Sequence, residues 1–170
     1  MEKTIRNKIA ESNLITIDLL EYAQLNNIIE FDIKHFLFES YILKEKKIRQ
    51  ELKNFDFTNY KDKIVALYCS TNAIIPMWAY MLVVSHLNLH CEDVFFGNKN
   101  DVIQNIILKN ISLINPDDYS NKKVIIKGCG NIPLKESLYI SITKKLQNSV
   151  KILMFGEACS AVPVYKKLKK

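Results

Sequence analysis

The stretch Val124-Ile125-Ile126-Lys127-Gly128-Cys129-Gly130 decides the fold. Its three consecutive β-branched residues predict a buried strand, because such side chains pack well on a pleated surface. The strand ends at a cysteine between two glycines, and glycine lets another group approach the backbone closely. Two other apolar runs end in a similar way, since Cys69 follows residues 64–68 and Cys159 follows residues 150–155. Three cysteines at strand ends predict a site.

From residue 64 onward, strand-like apolar runs alternate with helical patterns. The strands are predicted at residues 64–68, 93–96, 124–127 and 150–155, with helices at residues 73–87, 100–109 and 133–147 between them. This alternation requires parallel strands joined by crossover helices, and hence an open α/β sheet. We predict a mainly parallel four-stranded sheet with flanking helices, in a three-layer Rossmann- or flavodoxin-like arrangement, with residues 162–165 as a short edge strand.

The first 60 residues are predicted to form an N-terminal layer. Residues 1–13 have the pattern of a short polar helix, residues 14–18 and 30–33 that of a hairpin, and residues 34–54 that of two helical pieces. The whole chain of 170 residues is one ordinary domain's worth. We therefore predict a single domain over residues 1–170, with residues 1–60 as the added layer and residues 61–170 as the unit that carries the cysteines.

The bulk composition narrows the function classes. The net charge is +6, but only two of the 24 basic residues are Arg, the side chain that reads phosphate and guanine in bidentate fashion, which argues against nucleic acid as a partner. No apolar run is long enough to span a bilayer, and no signal-peptide core follows the N-terminus, so we expect a cytoplasmic protein without a membrane partner. In a reducing compartment the four cysteines are expected to be thiols or metal ligands.

The strand-end cysteines predict a metal centre. If the strand order is 2-1-3-4, the three strands that precede them are neighbours about 4.8 Å apart, so that three thiols converge at one edge. Thiolates select iron–sulfur clusters, zinc and copper(I), and three protein ligands leave one coordination position open. The spacing matches no sequential motif such as CxxC, so the residues alone do not choose between an iron–sulfur cluster and zinc. The predicted ligands are Cys69, Cys129 and Cys159, with Glu157 as a further candidate and with Gly128, Gly130 and Gly156 admitting backbone N–H groups to the cofactor.

Two alternatives remain open. In the first, the protein is a thiol enzyme in which Cys69, at a helix N-terminus capped within Ser70-Thr71-Asn72, is a nucleophile that carries a persulfide or acyl group. Cys129 or Cys159 would resolve that intermediate. In the second, the protein is a non-enzymatic interaction scaffold in an assembly complex, and the cysteines are packed as small apolar side chains.

Three blocks of the sequence resemble a known family. They are residues 68–82, which begin Tyr68-Cys69-Ser70-Thr71-Asn72, residues 126–130, and residues 156–166, which begin Gly156-Glu157-Ala158-Cys159-Ser160; residues 42–46 resemble a fourth. The blocks are similar to those of an uncharacterised bacterial family, domain of unknown function 2480. The resemblance carries over to the three strand-end cysteines, while Asn131 and Ala158 depart from the family's Asp and Pro. It implies iron–sulfur assembly proteins as partners, and a role in cluster assembly or delivery, because the family's genes lie among those for cluster assembly.

Overall fold

The structure is a computed structural model that describes residues 14–23, 27–128, 130 and 132–168. The predicted helix at residues 1–13 lies outside these residues. The described strands are β1 Leu14–Asp18, β2 Ile28–Asp32, β3 Ile64–Tyr68, β4 Asp93–Phe96, β5 Lys123–Lys127, β6 Ile152–Phe155 and β7 Val162–Lys166. The described α-helices are α1 Glu45–Asn54, α2 Met77–Leu87, α3 Lys99–Leu113 and α4 Glu136–Leu146. In this part of the chain no helix combines the length and the apolar character needed to cross a membrane.

The strands form two sheets. One has the order β1-β5-β6-β7, with only β7 antiparallel, and the other has the order β2-β3-β4 and is wholly parallel. The predicted α/β class and mainly parallel pairing are confirmed. The four predicted strands do not form one sheet, because β3 and β4 belong to one sheet and β5 and β6 to the other. The order 2-1-3-4, which the sequence analysis assumed for the metal centre, therefore does not occur. The Rossmann-like three-layer arrangement stays a prediction.

The predicted N-terminal hairpin is also wrong. β1 pairs in parallel with β5, and β2 pairs in parallel with β3. A 3₁₀ turn, Leu19–Tyr22, follows β1 directly in place of a tight hairpin turn. Hairpins need a connection of about two to five residues, and the chain between β1 and β2 is longer.

Two compact units divide the chain between them. The continuous unit is Gln24–Asn105, and the split unit is Met1–Ala23 together with Ile106–Lys170. The sheet β2-β3-β4 lies in the continuous unit and the sheet β1-β5-β6-β7 in the split unit. The single domain with a layer that ends near residue 60 stays a prediction.

The core of the continuous unit forms around β3, whose first four residues are buried. On α1, Ile48 and Leu52 are one turn apart and both are buried, while Lys47 and Glu51 form an ion pair at 3.6 Å on the outside of the helix. Three residues of α2 at positions i, i+4 and i+8 are buried in the same cluster: Ala79, Val83 and Leu87. One apolar stripe on each helix therefore holds the helices on this sheet.

In the split unit the same role falls to β5, whose central residues Val124, Ile125 and Ile126 are buried as the β-branched run predicts. The helix α4 buries a stripe of three residues, which are Leu138, Ile142 and Leu146. The antiparallel strand β7 forms the edge next to β6, with an irregularity between Leu153 and Met154. An edge strand tolerates the proline at Pro163, because a missing N–H costs nothing on the solvent side.

The two units repeat one backbone plan, which the sequence analysis missed. Each residue of β5-α4-β6 stands 59 positions after its counterpart in β3-α2-β4, and both helices have 11 residues. The residues with positive φ repeat as well, since Asp62 and Asn121 have φ of 58° and 56°, and Gly97 and Gly156 have φ of 121° and 118°. Left-handed backbone at equivalent positions shows that the turns match as well as the strands and helices.

Side-chain packing repeats too. The rings of Tyr80 and Phe96 meet edge to face with centroids 5.5 Å apart, and so do the rings of Tyr139 and Phe155, at interplanar angles of 86° and 87°. The repeat includes the N-terminal strands, because β1 and β2 both end in an aspartate whose carboxylate accepts the N–H two residues on and caps a four-residue 3₁₀ turn. Each unit therefore contains a first strand, a central strand, a crossover helix and a third strand.

Candidate functional site

Cys69 lies directly after β3, at the carboxyl edge of the continuous unit's sheet, and is half-buried. Its Sγ is 3.3 Å from the Oγ1 of Thr71. The prediction that Cys69 sits at a helix N-terminus is wrong, because α2 begins at Met77. Pro76 causes this, since it restricts the residue before it to extended conformations and stops the helix from starting earlier. The helix dipole therefore gives no reason to expect an activated Cys69 thiolate.

Asp32, which the sequence analysis did not single out, holds the loop that carries Cys69. Its Oδ1 accepts hydrogen bonds from the backbone N–H of Ser70 at 3.0 Å and of Lys34 at 2.9 Å. Burial raises the pKa of Asp32, but the hydrogen bonds from Ser70 and Lys34 outweigh it, so this pKa lies below its usual value. The carboxylate thus connects the end of β2 to the loop after β3, and its role in these contacts is to stabilise the fold.

The neighbour of Cys69 on the helix side is Tyr80. Burial raises the pKa of Tyr80, and the charge of an ionised Cys69 raises it further. A phenol with a raised pKa stays protonated at neutral pH, so it donates hydrogen bonds and does not act as a general base. The described surroundings of Cys69 therefore contain the Thr71 hydroxyl within hydrogen-bond distance and the Tyr80 phenol close enough to feel the thiolate charge, but they do not assemble the nucleophile–base pair that a thiol enzyme needs.

In the split unit, Cys159 and Glu157 follow β6. Cys159 is exposed, and Oε1 of Glu157 is 3.1 Å from the Nζ of Lys127 at the end of β5. This carboxylate therefore forms an ion pair across the carboxyl edge of two neighbouring strands. Its predicted role as a metal ligand stays a prediction, and its observed contact is with a cation.

The glycines of this edge have structural reasons of their own. A Cβ at Gly128 would collide with the hydroxyl of Tyr139, and a Cβ at Gly130 would collide with Leu20. The Tyr139 hydroxyl donates a long hydrogen bond, 3.5 Å, to the Gly128 carbonyl oxygen. Gly156 has a φ of 118°, which disfavours other residues. Packing and backbone geometry explain these glycines without a cofactor, and their predicted cofactor role stays a prediction.

The observed strand pairing removes the geometric argument for a shared metal centre. It required that the strands before the three cysteines be neighbours, but β3 belongs to a different sheet from β5 and β6. The described strands of each sheet follow one another without a reversal of strand order, so they form no switch-point crevice of the kind where such sheets bind ligands. Cys129 lies outside the described residues, and among the described ones no group of three or more His, Cys, Asp or Glu side chains can hold a metal ion. Metal or cluster binding stays a prediction without its original geometric support.

Three further residues of metal-ligating type lie near the C-terminal end of α2. They are His86, His90 and Cys91, and they pack on the continuous unit. Both imidazoles lie parallel to the ring of Phe57, with centroids 6.2 Å and 5.0 Å away. Burial raises the pKa of Cys91, which keeps that thiol protonated. These ring contacts and the burial of the thiol are those of ordinary packed side chains.

Apolar surface is the more prominent feature of both units. The split unit has a groove of about 440 Å³ lined by Ile126, Tyr139, Ile142, Thr143, Leu153, Met154, Phe155, Val162 and Val164. The continuous unit exposes a patch on α2 and the end of β4, in which Met77 and Met81 are each 72% exposed. We call these exposed side chains, together with Ile74 of the loop before α2, the α2 surface; it consists of Ile74, Met77, Trp78, Met81 and Phe96. Exposed apolar patches of this kind mark interaction sites.

Comparison with known proteins gives one match. A family model described as "Protein of unknown function (DUF2480)" matches residues 3–167, almost the whole chain. No curated protein and no solved structure matches it. The resemblance seen in the three sequence blocks is thereby confirmed.

Proposed function

Because the chain belongs to this family of unknown function, we propose its function from its own surfaces: it is a non-enzymatic binding protein that docks a partner protein on the α2 surface. The exposure of Met77 and Met81, each 72%, is the observation that carries the proposal. Methionine side chains are flexible and polarizable, and they suit surfaces that pack against another protein. A solvent-facing helix flank would instead carry polar side chains.

The contacts around the cysteines support binding over catalysis. Asp32 is engaged by backbone donors, and Glu157 is paired with Lys127. Cys69 and Cys159, the strand-end cysteines that the structure describes, are thiols without a described base or a described group of metal ligands. The partner class that the family resemblance implies is the iron–sulfur assembly proteins, and a docking protein can serve them without holding the cluster itself.

Site-specific photo-cross-linking in cells tests this proposal. A benzophenone amino acid replaces Met81, and the matched control replaces Ile140, which occupies the equivalent position in α4 and is also exposed. We expect a discrete adduct of two different proteins at position 81 that disappears when Phe96→Asp is added, and no adduct at position 140.

The cysteine-based alternatives are tested in the same cells. The adduct at position 81 is expected to persist when Cys69, Cys129 and Cys159 are all replaced by Ala and the melting temperature is unchanged. Loss of the adduct in that triple variant, together with metal retained by the wild type on anaerobic purification, would instead favour the metal or cluster site.

A further inference from the structure

The repeat between the units shows how a partner can bind beside the α2 surface. We infer that the partner adds an extended strand, antiparallel, to the outer edge of β4, and this inference rests on the proposed docking function. In the split unit, the equivalent strand β6 is flanked by β5 on one side and by antiparallel β7 on the other. In the continuous unit, the described residues give β4 one strand neighbour, β3. The two units thus share a plan but differ at this edge.

The backbone of β4 has the same orientation as that of β6. The N–H of Gly97 donates to the carbonyl of Leu67, and the N–H of Gly156 donates to the carbonyl of Ile126, so corresponding backbone groups face the central strand. Backbone groups alternate in direction along a strand, and therefore Val94 and Phe96 face the outer edge of β4. Their counterparts in β6 are Leu153 and Phe155, which are the residues opposite Tyr165 and Val162 of β7. At this edge the N–H of Val94 donates to Oδ1 of Asp93 at 2.9 Å, a contact that an added strand would replace. The outward backbone groups of Phe96 correspond to those that Phe155 turns toward β7 in β6.

The neighbouring helix favours an apolar occupant at this edge. Tyr80 contacts Phe96, and Met77 and Val84 lie on the same helix flank as Tyr80, three residues before it and four after it. The equivalent residues in α4 are Glu136 and Thr143. In the continuous unit, where β4 has one described strand neighbour, the helix flank beside the edge is therefore more apolar than in the split unit. Contact with water would favour the opposite.

The solvent exposure of the two equivalent phenylalanines, Phe96 and Phe155, also differs between the two sheet edges. Phe155, which β7 partly covers, is 42% exposed, whereas Phe96 is 68% exposed. In the split unit, Val162 and Val164 of β7 complete the apolar groove beside Phe155. A strand with β-branched residues at alternate positions would complete the corresponding groove beside Phe96 in the same way. Strand addition of this kind takes affinity from main-chain hydrogen bonds and specificity from alternate side chains.

The corner of the sheet at the start of β4 indicates which charge the C-terminal end of the added strand should carry. The C-terminal end of β7 reaches the start of β6, where the N–H of Lys167 donates to the carbonyl of Lys151. The residue equivalent to Lys151 in the continuous unit is Glu92. An antiparallel strand on β4 brings its C-terminal end to the corner beside Glu92, whose Oε2 accepts a hydrogen bond from the Asn27 side chain at 3.0 Å. That donor is a neutral amide, so the acidic residue favours a basic residue at the C-terminal end of the strand. The partner segment is therefore extended, apolar at alternate positions and basic at its C-terminal end.

A synthetic peptide with the sequence of residues 160–168, Ser-Ala-Val-Pro-Val-Tyr-Lys-Lys-Leu, is the probe, because it contains the strand that already occupies the equivalent edge. Its binding to the full chain is measured by fluorescence anisotropy, and each amide of the peptide is N-methylated in turn. We expect saturable binding, with about tenfold weakening or more at alternate amides and about twofold or less between them. Met81→Lys and Phe96→Asp are expected to weaken binding by similar factors, while the matched control Ile140→Lys leaves it unchanged.

Other results overturn the strand without removing the docking function. If the N-methyl series shows no alternation while Met81→Lys still weakens binding, the partner docks through side chains alone. If Ile140→Lys removes binding and Met81→Lys does not, the peptide displaces β7 in the split unit. A mass of two chains in solution that Phe96→Asp halves would assign the edge to a second copy. An adduct at position 81 with no peptide binding at millimolar concentration would also exclude this strand chemistry.

Discussion

The continuous and split units follow one plan, and they differ in the loop after the central strand and in the outer edge of the sheet. At the loop, Gly128 of the split unit corresponds to Cys69 of the continuous unit, and Cys129 corresponds to Ser70. The cysteines therefore do not occupy equivalent positions, although each follows a strand. A plan kept in both units shows what the fold requires, and the positions that differ are where separate functions can reside. This comparison favours the edge of β4 and the two loops as functional and the shared framework as structural.

The largest effect is expected where the units are most alike. Leu87 and Leu146 are equivalent, and both are fully buried at the end of their helices. Replacement of either by Ala removes the same packing, so each is expected to lower the free energy of unfolding by about 2–5 kcal/mol. Chemical denaturation of the two full-length variants measures this. Costs that differ by more than about 2 kcal/mol would break the equivalence of the two cores.

A smaller effect is expected at the loop, where the units differ. Gly128→Ala places a methyl group against the Tyr139 hydroxyl and is expected to cost about 1–3 kcal/mol. The double variant Gly128→Ala/Tyr139→Phe should recover part of this cost, because the colliding oxygen is removed. Cys69→Ala is the matched change in the continuous unit, and it is expected to cost less because a Cβ is already accommodated there. An unchanged melting temperature for Gly128→Ala would show that the glycine is kept for another reason, such as a bound cofactor.

The smallest effect concerns the two equivalent strand-end aspartates. The folded-state pKa of Asp32 is lowered, so its charge stabilises the fold above the unfolded-state pKa, about 4, and that stability is lost as the pH falls through the lower folded-state value. The gap in melting temperature between the wild type and Asp32→Asn is therefore expected to be largest near pH 7 and to shrink below about pH 4.

Asp18→Asn is the matched variant at pH 7, and it should lower the melting temperature less, since the described hydrogen bond of Asp18 is the single one from the Leu20 N–H. A gap for Asp32→Asn that grows on acidification would contradict the assigned role of its carboxylate.

The elements themselves were largely readable from the sequence, because their causes are local. The β-branched and apolar runs at residues 14–18, 64–68 and 93–96 are strands with the predicted bounds. The start of α2 was missed, because residues 73–75 are as apolar as the helix and only Pro76 separates them from it. Local pattern specifies that a run is a strand but does not specify its partner.

The pairing of the strands was therefore the part of the fold that could not be predicted from the sequence. β1 and β5 are more than a hundred residues apart, and nothing in either run distinguishes β5 from β3 as a partner. The repeat would have indicated the pairing, but it is hard to detect in the sequence. Few equivalent positions have the same residue, and some, such as Met77 and Glu136, do not even share polarity. The unknown strand pairing also affected the candidate site, since the predicted convergence of the cysteines depended on which strands are neighbours. Asp32 was missed because one aspartate in a turn resembles any other.

The split unit also determines the order in which the chain can fold during synthesis. β1 leaves the ribosome first, but β5, with which it pairs, starts at Lys123. At about 5–20 residues per second, β1 waits roughly 5–20 seconds for its partner. The continuous unit has made all three of its strands by Phe96 and can close its sheet in that interval. An unpaired apolar strand is a template for wrong pairing, so the nascent chain is most exposed to misassembly, and most in need of a chaperone, before residue 127 has emerged.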